Sequence, residues 1–117
     1  MEFKIQKLNT EQLQSRLKRD RPFMLIDVRD KEAFIKGHIP GASNMFDGEV
    51  MPLVKSLDKG MDIILDGPES TGQSKLYDDA AEKFMNIGSK YVYAYEEGLK
   101  GWADSGNKVD HAARKTT

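Results

Sequence analysis

The 117 residues contain no cysteine, which excludes disulfides, thiolate metal sites and any covalent intermediate carried on a thiol of this chain. An excess of one charge is also missing: 18 Lys and Arg face 19 Asp and Glu, so neither a nucleic-acid surface nor a membrane patch is announced. No stretch approaches the roughly 20 apolar residues that span a bilayer. The opening Met1-Glu2-Phe3-Lys4-Ile5 lacks the apolar run of a signal peptide. A soluble, cytoplasmic protein with no nucleic-acid or membrane partner is the expectation. Histidine is scarce, with only His38 and His111, which limits general-base chemistry.

What is present fits one domain of ordinary size, expected to run from residue 1 to 109 with a flexible tail over 110–117. Residues 3–5 read as a short strand. Thr10 is placed to cap a helix through about Lys18 that carries Leu13 and Leu17 on one face; Leu at position 13 leaves no capping box. Residues 23–28 form a mostly apolar run of strand length, as in a central parallel strand buried on both faces. Residues 31–35 suggest a short helix stopped by Gly37, and Ile39-Pro40-Gly41-Ala42 is a turn leading to Ser43-Asn44-Met45.

Val50, Leu53, Val54 and Leu57 recur at helical spacing within 48–57, with Pro52 acceptable only in the first turn. Residues 61–65 read as a second buried strand, followed by a polar loop from Asp66 to Ser74. The next helix carries Leu76, Ala80, Phe84 and Ile87, with Tyr77 and Ala81 alongside, and Gly88 suits its C-terminal cap. Residues 91–95 form a third strand, and Glu97-Gly98 turns into a last helix bearing Leu99 and Trp102. Strands alternating with helices imply an α/β fold with right-handed crossovers and a mostly parallel sheet.

Asp27-Val28-Arg29 and Gly37-His38-Ile39-Pro40-Gly41-Ala42 resemble the first signature of the rhodanese family. The later pattern of that family is an apolar strand ending in Cys, a tight loop, paired alanines on a helix, a Val-Tyr strand, Gly-Gly and Trp. It resembles Ile63 to Asp66, Ala80-Ala81, Val92-Tyr93, Glu97-Gly98 and Trp102. The resemblance covers nearly the whole chain and implies a single rhodanese-like domain, a three-layer α/β/α fold with a mostly parallel central sheet. It also implies descent from sulfurtransferases, in which a cysteine thiolate accepts and passes on a sulfane sulfur.

Here the chain departs from that pattern. Asp66 stands at the strand end; Ala33 precedes Phe34 where an acidic residue is usual, with Glu32 one place early; and Glu97 replaces the first glycine of the later pair. Fourteen positions separate Asp66 from Ala80, longer than the family's usual loop, and a loop of usual length would put Ser70 at the nucleophile position instead. Asp66 is the favoured occupant. Neither a carboxylate nor a hydroxyl can form a persulfide.

The cradle this register predicts comprises Gly67, Glu69, Ser70, Thr71, Gly72, Gln73 and Ser74, supported by Asp27, Arg29 and His38. It contains no Arg or Lys, and Asp78 and Asp79 follow, so an incoming anion meets little cationic help except Lys75. A serine nucleophile needs a nearby base, and His38 and His111 are poor candidates. Asp27 and Arg29 read as a strand-end carboxylate accepting backbone N–H groups and a guanidinium bracing a loop. His38 reads as a structural hydrogen-bonding residue of the turn.

A metal site from Asp27, Asp66 and Glu69 would need oxygen ligands to converge, which the spacing does not show; neither metal nor cofactor is expected. Tyr91, Tyr93 and Tyr95 alternate as packing residues do. The expected function is a non-catalytic binding or regulatory module for an unidentified protein or small molecule. The alternative is a hydrolase or phosphatase-like enzyme using Asp66 or a loop hydroxyl.

Overall fold

Three mostly apolar runs, at 23–28, 61–65 and 91–95, build the interior of a five-stranded parallel sheet ordered β1-β5-β4-β2-β3. A computed structural model describes residues 5–45, 60–68 and 74–111. The elements are β1 (Gln6–Leu8), α1 (Thr10–Lys18), β2 (Phe23–Asp27), α2 (Lys31–Lys36), β3 (Ser43–Asn44), β4 (Asp62–Asp66), α3 (Ser74–Asn86), β5 (Tyr91–Tyr95) and α4 (Gly98–Asp104). The apolar spacing at 48–57 lies outside the described residues.

The side-chain period of two sends alternate residues of each strand to opposite faces. Ile26, Ile63, Leu65, Val92 and Ala94 meet Tyr77, Ala80, Ala81 and Phe84 of α3 on one face. Leu25, Ile64, Tyr93 and Tyr95 meet Leu13 of α1 and Trp102 of α4 on the other. The result is the expected three-layer α/β/α arrangement. Each large side chain buried in this way contributes about 1.5–3 kcal/mol through the apolar surface it withdraws from water.

The first described strand is Gln6–Leu8, in register with Tyr93 to Tyr95, and its Leu8 joins the core beside Leu13 and Tyr95; residues 3 and 4 of the strand expected at 3–5 lie outside the described residues. The structure corrects two local expectations. The cap of α1 is Asn9, not Thr10, and a capping box is present: the Asn9 side chain accepts from the Gln12 N–H, and the Gln12 side chain accepts from the Asn9 N–H, both at 2.8 Å. Counting from Asn9 puts Gln12, not Leu13, at the position a capping box uses. On α3 the buried stripe is Tyr77, Ala80, Ala81 and Phe84, and Leu76 is 40% exposed. Two small alanines let that helix approach the sheet closely, which rotates the buried face one residue beyond Leu76.

The expected stops hold. Gly37 closes α2, donating to the Ala33 carbonyl, and Gly88 follows α3 with φ 101°, a conformation that glycine adopts without a Cβ penalty. At the C-terminal side, Asp110, which the sequence places at the start of the tail, exchanges backbone hydrogen bonds of 2.8 and 2.9 Å with His38.

Candidate functional site

A parallel sheet gathers the carboxyl ends of its strands at one edge. β2 and β4 are neighbours whose register ends on Asp27 opposite Asp66. Both side chains share the sheet face occupied by Leu25 and Ile64. Asp27 is completely buried and Asp66 is 1% exposed. Asp62, at the other end of β4 and roughly 13 Å away along an extended strand, is held by Arg16 at 3.2 Å and Arg21 at 3.0 Å. It makes no cluster with Asp66.

Arg29 secures Asp27. Its backbone N–H donates to Oδ1 at 2.9 Å, Nε donates to Oδ1 and Oδ2 at 3.0 and 3.1 Å, and Nη2 donates to Oδ2 at 2.7 Å. Nη2 also donates to the Gly37 carbonyl at 2.6 Å, tying the end of α2 to β2. Burial works against the Arg29 charge, but the hydrogen bond and attraction of Asp27 prevail and the guanidinium is raised above its ordinary value. The Asn44 amide adds bonds to the Asp27 and Arg29 carbonyls at 3.1 and 2.9 Å. The expected bracing pair is therefore assembled.

Among the described residues, Asp66 has no such cation of its own. Its carbonyl accepts from the Val28 N–H at 2.8 Å, but its Oδ2 is buried without a hydrogen-bond partner among the described residues. Burial first, and repulsion from Asp27 second, push this carboxyl well above the ordinary carboxylate range, with Arg29 only partly offsetting them. Two like charges on neighbouring strands, about 5 Å apart, repel by roughly 3 kcal/mol at an effective dielectric constant near 20. Asp66 favours its neutral, protonated form.

Beyond Asp66 the chain is tightly fitted. A Cβ on Gly67 would lie 2.8 Å from Val28 Cγ2 and 3.2 Å from the Tyr77 hydroxyl. That hydroxyl is within 2.8 Å of the Pro68 carbonyl and 2.9 Å of the Tyr95 carbonyl, and its single proton is shared between them. Burial, followed by the nearby Asp66, Glu96 and Asp27, raises the Tyr77 phenol above its ordinary value. Glu69, Ser70, Thr71, Gly72 and Gln73 lie outside the described residues, and Ser74 opens α3. Lys75, the nearest expected cation, pairs with Asp79 at 3.0 Å on the exposed side of α3.

His38 Nδ1 is 2.8 Å from the Phe34 carbonyl, and the ring stacks on Phe34 with centroids 3.9 Å apart. Among the described residues no group of three or more His, Asp or Glu converges to hold a metal. Tyr93 and Tyr95 are buried as packing residues. Tyr91 is 45% exposed, and Arg16 and Arg21 lie over the Tyr93 and Tyr91 rings at 4.2 and 4.9 Å.

Two residues whose roles the sequence concealed complete the surroundings. The Glu97 carboxylate accepts from the Thr10 N–H at 2.5 Å and from its hydroxyl at 3.1 Å, and the Thr10 hydroxyl lies 2.6 Å from that of Tyr95. Gly101 leaves room for this cluster, since a Cβ there would sit 2.8 Å from Glu97 Cβ. Tyr77 joins the start of the loop to the end of β5. The replacement of glycine by Glu97 was visible as a departure, but its partner on α1 was not.

With this geometry in place, the sequence model of the Rhodanese-like domain matches residues 9–105. YtwF of Bacillus subtilis, a candidate sulfurtransferase, is 27% identical over 101 residues, covering 84% of this chain and 90% of that protein. The dual specificity phosphatase Cdc25 of Arabidopsis thaliana is 32% identical over 100 residues, covering 76% of this chain and 67% of that protein. Among solved structures, the Alr3790 protein from Anabaena sp. superposes with a TM-score of 0.76 at 27% identity, covering 92% of this chain and 94% of the other.

Proposed function

Because this chain belongs to the rhodanese-like domain family yet carries no thiol, we propose that it is a non-catalytic binding or regulatory module related to sulfurtransferases. The observation that carries this reading is the burial of Asp66 against Asp27 at the end of β4. A buried carboxyl wedged beside a second carboxyl can neither form a persulfide nor welcome a sulfur-bearing anion. The ligand is an unidentified protein or small molecule, with no nucleic acid, membrane or cofactor involved, and the setting is cytoplasmic. Balanced charge supports that choice, as does the lack, among the described residues, of any helix long and apolar enough to cross a membrane.

Incubation of the pure protein with thiosulfate and cyanide tests the proposal. Thiocyanate at the uncatalysed background is expected; formation that scales with protein would overturn it. A hydrolase using Asp66 is disfavoured by the same observation, since a nucleophilic carboxylate has to be ionised and reachable. Magnesium-dependent phosphate release that disappears in Asp66→Asn would reverse that judgement.

A further inference from the structure

The Asp27–Asp66 pair occupies the point where the winding of the sheet reverses: β3 lies beyond β2 on one side, and β5 lies beyond β4 on the other. Open α/β sheets place their ligand sites outside the strand ends at such a point. Here two carboxyl groups of the chain itself fill it, with one guanidinium between them for charge. Arg29 aims Nε and Nη2 at Asp27 and Gly37, and Asp66 Oδ2 has no partner among the described residues.

Among the described residues, the other titratable groups around the pair bring no second cation. α3 contributes the Tyr77 phenol and β5 the Tyr95 phenol; Glu96 and Glu97 lie beyond β5, and Asp30 lies beside Arg29. Lys7 is paired with Glu96 at 3.3 Å. With one proton on the pair, Asp27, Asp66 and Arg29 sum to neutral; without it, two anions face one cation in a buried site.

We propose that Asp27, Asp66 and Arg29 act as a single-proton latch that joins the carboxyl ends of β2 and β4 while the pair keeps its proton. Loss of the proton costs the latch its neutrality, so the Val28 to Asp66 backbone bond and the Gly67-Pro68 segment beyond it are held less firmly. The direction follows from linkage. A carboxyl whose folded-state value is raised holds a proton that the opened chain gives up. Closing the latch therefore takes up a proton, and it weakens as pH rises above the unfolded value, near 3.9. The opening equilibrium rises about tenfold per pH unit and levels off where Asp66 itself titrates in the closed state. This inference does not depend on the binding-module reading, since sulfur transfer plays no part in its test.

The test is a carbon-detected NMR titration of the side-chain carboxyls, combined with amide-exchange protection at Val28 and at Leu25 in the middle of β2. The Asp66 carboxyl is expected to titrate well above the usual carboxylate range. Protection of Val28 should fall with rising pH until that titration is complete, while Leu25 holds steady. Asp66→Asn, which keeps the shape and removes the proton, is expected to abolish the pH dependence at Val28. Ordinary titration of Asp66, equal behaviour of Val28 and Leu25, or an unchanged Val28 profile in Asp66→Asn would overturn the proposal. If that variant fails to fold, the titration and exchange of the unmodified protein decide alone.

Discussion

The Glu97 carboxylate accepts hydrogen bonds from both the backbone N–H and the hydroxyl of Thr10, 87 positions away in the chain. The contact joins the entrance of α4 to the first turn of α1, where backbone N–H groups have no partner within the helix. It stands where the family pattern has glycine, so the chain has replaced a flexible turn with a tether.

Glu97→Gly is expected to cost about 1–3 kcal/mol, since it removes a charged acceptor from two donors and restores backbone freedom to the unfolded chain. Glu97→Gln keeps a side-chain oxygen and should cost less. Urea denaturation of the two variants checks the order. Equal stability of Glu97→Gly and the unmodified protein would show the tether to be incidental.

Gly67→Ala tests the fit beyond β4. The added Cβ would meet Val28 Cγ2 at 2.8 Å, and a β-branched side chain, restricted in χ1, cannot give way freely. A loss of about 1–3 kcal/mol is expected, in the range of overpacked interiors. A neutral or stabilising result in thermal unfolding would mean that the segment relaxes outward at no cost.

Tyr77→Phe removes the one proton shared by the Pro68 and Tyr95 carbonyls. Leaving buried acceptors without a donor costs about 1–3 kcal/mol. The unmodified protein should also lose stability on strong alkalinisation: the Tyr77 phenol is raised in the folded state, so its neutral form is favoured there, and stability falls as pH climbs above the ordinary tyrosine value of about 10. Denaturation profiles of the two proteins should therefore converge at high pH. Parallel profiles would count against this assignment.

The layers of the fold could be read from the chain because β2, β4 and β5 carry apolar residues on both faces, and only a sheet covered on both sides satisfies such runs. Among the described residues the helices α1 and α2 were legible to within a residue, and the errors had local causes. Asn9 and Thr10 are both good caps, and only the partner of each side chain decides which one serves: Gln12 for Asn9, Glu97 for Thr10. Leu76 has the same hydropathy as a buried residue, but packing of Ala80 and Ala81 against the sheet turns it outward.

The site was legible as a departure rather than as a geometry. Asp66 was visible as the residue at the strand end. The upward shift of its carboxyl was not, because it depends on burial, on the register that sets Asp27 opposite it and on Arg29 being committed to Asp27. Cross-strand pairing and long-range tethers such as Thr10 to Glu97 are products of tertiary structure, and no local pattern encodes them.

Asp66→Cys returns the family's nucleophile to its position, and it is expected not to return the activity. The new sulfur would occupy a slot that leaves Asp66 1% exposed, opposite the Asp27 carboxylate. Burial and a neighbouring anion both raise a thiol's pKa, and the nearby guanidinium is bound to Asp27 at 2.7 Å. Each unit of upward shift lowers the thiolate fraction about tenfold at a fixed pH below it. Alkylation of this cysteine by iodoacetamide should therefore be at least about tenfold slower than that of free cysteine at the same pH, with thiocyanate formation within about tenfold of background. Fast alkylation together with robust turnover would show that the carboxyl pair does not suppress the site, and that one substitution separates this chain from a working sulfurtransferase.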